Sequence, residues 1–77
     1  MRRSEFWFAV GREFGDTYGG ILAKDMVIAE LGDTTAAEAL ARGMSPRTVW
    51  LALCRAAEVP PERWHGAGLP EPKRDVT

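Results

Sequence analysis

An all-α fold is predicted for this chain: a compact three- to four-helix bundle with a helix-turn-helix-like corner and a disordered C-terminal tail. Three observations predict it. Apolar residues recur at spacings of three and four, the period of a one-faced helix. Start signals (Ser4, Thr35, Ser45-Pro46) alternate with stop signals (Gly15, Gly32, Gly43, Pro60-Pro61) along the chain. From Gly66 onward the sequence GAGLPEPKRDVT has no apolar period and little to bury.

The first helix is expected from Ser4, as N-cap, to Phe14, with Phe6, Trp7, Val10 and Phe14 as its apolar stripe. Gly15 stops it, and Asp16 or Thr17 caps a second helix expected to reach about Leu31, closed by Gly32. Tyr18, Ile21, Leu22, Met26, Val27, Ile28, Ala29 and Leu31 surround that second helix, so it is expected to lie at the centre. Thr35-Ala36-Ala37-Glu38 matches a capping box and opens a short third helix ending at Gly43. Ser45 and Pro46 then supply an N-cap and a first helical residue whose missing donor costs nothing, for a fourth helix to about Glu58. Pro60-Pro61 ends it, and one further turn is expected from Pro61 to Trp64. The domain organisation is therefore one helical domain, residues 1–65, and a tail, residues 66–77.

A chain of 77 residues supports one domain with a modest core. Ten Lys and Arg against eleven Asp and Glu leave a net charge of -1, which removes the global attraction that most nucleic-acid binders use. One cysteine, Cys54, and one histidine, His65, exclude an internal disulfide and a zinc cluster. No metal or cofactor site is expected. The apolar run from Phe6 to Val10 is too short for a secretion signal, and no stretch approaches the roughly 20 apolar residues of a membrane span. A cytoplasmic protein without a membrane partner is the expectation.

Ala39, Gly43 and Val49 fall where a helix-turn-helix needs a small residue, a left-handed turn and an aliphatic packing residue. These needs are steric and describe any tight corner between two helices. In the DNA-binding version, Ser45, Arg47 and Thr48 would face the groove, with Arg42 and Arg55 on phosphates. Between Thr34 and Arg63, four arginines stand against three glutamates, far from a basic face.

Asp25 projects near Ile21, Leu22, Ile28 and Ala29 and is a candidate for a partly buried carboxylate, with a structural role favoured over catalysis because no second group completes a site. Cys54 reads as a small hydrophobe, His65 as a solvated residue, and Trp7, Trp50 and Trp64 as core or core-edge aromatics. Phe8 and Leu51 break the amphipathic pattern. Together they would form an apolar spot rimmed by arginine, suited to a protein partner or a homodimer.

An Arg-x-x-Glu-Phe-Trp start (Arg2 or Arg3 through Trp7), Phe14-Gly15 followed by Tyr18, Glu30-Leu31-Gly32, Glu38-Ala39-Leu40, and Val49-Trp50-x-Ala52-x-Cys54 with Val59-Pro60 run collinearly over about residues 2 to 63. In this combination the chain resembles the actinobacterial domain-of-unknown-function family 3046. The resemblance implies a small bacterial helical domain with no assigned activity, substrate or catalytic residues. Phe8 and Leu51 depart from the polar residues more usual in that family. The sequence thus points first to a non-catalytic protein-interaction or regulatory module, with a helix-turn-helix DNA-binding protein as the alternative, and no enzyme is expected.

Overall fold

Each expected helix finds a counterpart, but the second is shorter than its apolar pattern suggests. The computed structural model describes residues 1–64. The expected tail and His65 lie outside them. The helices are α1 (Arg3–Phe14), α2 (Asp16–Asp25), α3 (Ala36–Ala41) and α4 (Pro46–Ala56), with short 3-10 turns at Ala29–Leu31 and Pro61–Arg63. Between α2 and α3 the chain forms a small antiparallel ladder of β1 (Val27–Ile28) and β2 (Thr34–Thr35), Val27 opposite Thr35 and Ile28 opposite Thr34.

This ladder corrects the all-α expectation. The residues read as the end of a long helix include the β-branched pair Val27-Ile28, which favours a pleated half-buried surface over a helix. Met26 already has an extended backbone and ends α2. Gly32, expected to cap α2, instead sits left-handed (φ 90°, ψ 33°) after the 3-10 turn, and Asp33 follows at φ 61°. These two positive-φ residues reverse the chain and pair Thr34-Thr35 with Val27-Ile28. The all-round apolar pattern thus belongs to three successive elements.

The centre of the molecule is α4. Val49, Trp50, Ala52, Leu53 and Cys54 are all buried, whereas α2 buries only Gly19 and Ala23. Trp50 is fully enclosed, with Phe6 and Phe14 set edge-on to its ring at centroid distances of 6.2 and 6.5 Å, a geometry the aromatic quadrupole favours. The stripe of α1 is rotated from the expected one: Ala9 joins Phe6 and Val10 inside, and Trp7 stands at the edge.

Local signals explain the joints. The first helix begins one residue before the expected cap, and the Glu5 carboxylate accepts from the Arg2 backbone N–H at 2.8 Å, satisfying one orphan donor of the first turn. Gly15 alone separates α1 from α2, at φ 92° and ψ 150°, a region open essentially to glycine. Thr35 Oγ1 caps α3 by accepting from the Glu38 N–H at 3.2 Å, while the Glu38 carboxylate accepts from the Thr34 hydroxyl at 2.6 Å. Both α3 and α4 end in a paired 6→1 and 5→2 hydrogen-bond motif. For α3 the left-handed residue is Gly43, with Met44 N–H bonded to Ala39 O and Gly43 N–H to Leu40 O. For α4 it is Glu58, with Val59 N–H bonded to Cys54 O and Glu58 N–H to Arg55 O.

The C-terminal turn folds back on the helices. Trp64 accepts from the Trp50 indole through its carbonyl and donates its own indole N–H to Val59 O at 2.7 Å. Arg63 pairs with Glu13 of α1 at 2.7 Å.

Candidate functional site

The residues that sequence reading singled out fall into two groups. The first is the corner between α3 and α4. Ala39 and Val49 are fully buried and Gly43 has φ 96°, so the three steric requirements of a helix-turn-helix corner are met in the folded chain. Arg42, Ser45, Arg47 and Thr48 are exposed there. Ser45 occupies the N-cap position of α4 without a side-chain capping bond.

The remainder of α4 is not free. A recognition helix enters the major groove with an open side of its N-terminal part. Here Trp50, one turn beyond Arg47, and Cys54, one turn further, are both fully enclosed. Phe6 and Phe14 of α1 and the carbonyl of Trp64 cover Trp50. What α4 leaves outside is a stripe of Arg47, Thr48, half-buried Leu51 and Arg55, with half-buried Pro46 at its start and exposed Ala56 at its end. Arg55 is already engaged: its guanidinium pairs with Glu30 through Nε and Nη2 and lies 5.6 Å from the Trp64 ring centroid.

The shifted ionisations belong to groups that hold the fold. The Arg55 bond holds the Glu30 carboxyl below its usual range, and the Thr34 hydroxyl and the Thr35 backbone do the same for Glu38. Burial first, then the nearby Glu13 charge, pushes the Cys54 thiol up to about 12. Such a thiol stays neutral and is a poor nucleophile. Asp25, expected to be partly buried, is exposed at the end of α2. That correction follows from the shortened helix, because Ile28 and Ala29 no longer flank it. Among the described residues no group of three His, Cys, Asp or Glu is placed to hold a metal, and no helix is long and apolar enough to cross a membrane.

The second group is apolar. Phe8 is 48% exposed on α1, with the Arg12 guanidinium 5.9 Å from its ring centroid. Leu51, its expected companion, is half-buried and packs against the core. Sequence reading missed Trp7, Tyr18, Ile21 and Val27, which are 38%, 59%, 52% and 62% exposed. All four lie in segments assigned to the core on periodicity. The available signal was one of supply: the second segment holds more large apolar residues than so small a domain has interior to receive.

No curated protein and no solved structure matches the chain. A family model does match, over residues 1–62, which include all four helices and the C-terminal 3-10 turn up to Glu62. On that match the chain belongs to the family described as protein of unknown function (DUF3046).

Proposed function

We propose that this protein is a non-catalytic protein-interaction or regulatory module of the cytoplasm. The observation that carries the reading is the set of large apolar side chains left outside, Trp7, Phe8, Tyr18, Ile21 and Val27, each more than a third exposed. Single exposed apolar residues are ordinary. Five on a domain of this size, two of them adjacent on one helix, suit contact with another protein, where aromatic residues are enriched. The inertness of Cys54 and the ordinary bonds behind the other shifted groups support a role without catalysis. The engagement of Arg55 with Glu30 and the near-neutral charge of the chain weigh against reading DNA with α4.

Site-specific photocrosslinking tests the proposal. A benzophenone amino acid placed at position 8 or position 18 in producing cells is expected to give a discrete adduct with one protein species, or with a second copy of this chain, identified by mass spectrometry. Adducts with nucleic acid in their place would overturn the reading.

A further inference from the structure

The outward side of α1 carries opposite charges at matched distances from one exposed aromatic ring. Phe8, 48% exposed, stands on the side away from the buried Phe6, Ala9 and Val10. Glu5 lies three residues before it and Arg12 four residues after it. Seven residues are nearly two full turns, so Glu5 and Arg12 share one edge of the helix, about 20° apart around the axis and about 10 Å apart along it. Arg12 reaches back toward Phe8, its guanidinium 5.9 Å from the ring centroid. Glu5 keeps its charge while it accepts from the Arg2 N–H, and among the described residues neither Glu5 nor Arg12 is held in an ion pair. On the other edge of the face, Trp7 is 38% exposed and the Asp16 carboxylate lies against Gly11.

We propose that this face of α1 pairs antiparallel with the same face of a second copy of the chain, about a two-fold axis beside Phe8. The inference rests on the interaction reading above and deepens it by naming the surface and the partner. A two-fold contact is isologous: if Arg12 meets Glu5 of the second copy, Glu5 meets Arg12 of that copy in return. With the axis between positions 8 and 9, Arg12 and Glu5 lie equally far from it, so each comes level with the other across the contact. Such an axis also sets each edge of the face against its own counterpart, which keeps both Arg12–Glu5 contacts on one edge, with the two Phe8 rings between them. On the other edge, Trp7 of one copy comes near the level of Gly11 of the other, where the Asp16 carboxylate is an acceptor for its indole N–H. Like charges stay about 10 Å apart along the helix, and the two helix dipoles run opposed. A parallel pairing would instead set Arg12 against Arg12. Neither a uniformly acidic nor a uniformly basic segment matches the alternation of charge on this face, and Glu5 and Asp16 repel a nucleic acid. A contact of one short helix per copy is small, so the dimer belongs to the weak class that buries less than about 1,200 Å².

The test is sedimentation equilibrium of the full chain from micromolar to millimolar concentration, with two charge reversals measured singly and mixed. The parent is expected to dimerise with a dissociation constant on the order of 100 µM, weakening as salt is added. Arg12→Glu and Glu5→Arg each set like charges against one another at both ends of the contact, and each alone is expected to weaken the dimer about tenfold or more. Mixing the two variants brings opposite charges together again at both ends. The mixture is therefore expected to recover the affinity of the parent, although neither variant pairs with itself. Glu5→Arg also removes the bond to the Arg2 N–H, so thermal melts of each variant check the fold, and recovery on mixing reads the contact and not stability. Phe8→Ser is expected to weaken the parent dimer and the mixture alike. A parent that stays monomeric at millimolar concentration, a dimer that both single reversals leave unchanged, or a mixture that does not recover would overturn the proposal. Photocrosslinking at position 8 answers the broader question separately: an adduct with a different protein, alongside a monomeric parent, would overturn the self-pairing and leave the interaction reading standing.

Discussion

A single buried thiol shows how far environment outweighs residue type. Cys54 is fully enclosed beside Trp50 and its ionisation is pushed from 9.0 up to about 12. Unfolding releases the thiol to ionise near pH 9, while the folded chain keeps its proton until about pH 12. The unfolded state therefore binds fewer protons across that window, and stability falls as pH rises through it, by up to about 1.4 kcal/mol per pH unit. Below pH 9 the thiol contributes no pH dependence. Urea titrations of the parent and of Cys54→Ala at pH 8 and pH 10 check this: the parent should lose more stability than the variant between the two. An equal loss in both would mean that water reaches the thiol. Glu58 gives a second residue-scale prediction, since it holds φ 61° at the end of α4, a conformation that costs an L-residue free energy and glycine almost none. Glu58→Gly should raise the thermal midpoint by roughly 2–4 °C, and Glu58→Val should lower it. At this scale the sequence revealed Cys54 as a small hydrophobe and Phe8 as an outlier of its helix, because both follow from local spacing. It did not reveal Trp7 as exposed, because whether an edge residue is covered depends on which helix packs beside it.

At the scale of elements, what was legible is what adjacent residues decide. Thr35 caps α3, Ser45-Pro46 opens α4, Gly43 turns between them, and Pro60-Pro61 stands where α4 has ended. The hairpin was not legible, because a helix pattern continues smoothly through Met26-Val27-Ile28 and only the pairing of Thr34-Thr35 across Gly32-Asp33 reveals a ladder. The packing of α1 on α2 was equally hidden, although it depends on one glycine. A methyl group at Gly19 would come within 2.8 Å of both Val10 Cγ1 and the Val10 carbonyl oxygen, whereas at Gly20 it would meet nothing within 4 Å. Two neighbouring substitutions should therefore have opposite signs. Gly19→Ala is expected to destabilise by about 1–3 kcal/mol through steric overlap with backbone that cannot yield. Gly20→Ala is expected to stabilise by roughly 0.5–1 kcal/mol through helix propensity alone. Equilibrium urea unfolding measures both, and equal effects at the two positions would mean that α1 and α2 approach each other elsewhere.

For the molecule as a whole, the decisive arrangement is how α4 is enclosed. The corner of α3 and α4 has the sequence and steric features of a DNA-reading motif, and a reading confined to residues 35–50 would stop there. The long-range contacts change its meaning. From the N-terminal side, Phe6 and Phe14 close over Trp50; from the C-terminal side, Trp64 accepts the Trp50 indole proton and Arg63 reaches across to Glu13. Among the described residues the cations left without an ion pair at the corner are Arg42 and Arg47, and a contact through two phosphates would show a logarithmic salt slope of only about −2. With a net charge of -1, the rest of the surface adds no attraction to make up the difference. A labelled mixed-sequence duplex titrated with this protein is therefore expected to show no anisotropy change at micromolar concentrations, at low or at moderate salt. Binding at low salt that disappears in Arg47→Ala would mean that the enclosing elements leave α4 open enough to reach a groove. In that case a Trp64→Ala variant, which loosens the C-terminal turn, should bind more tightly than the parent. With α4 enclosed as it is, the same variant should only lose stability.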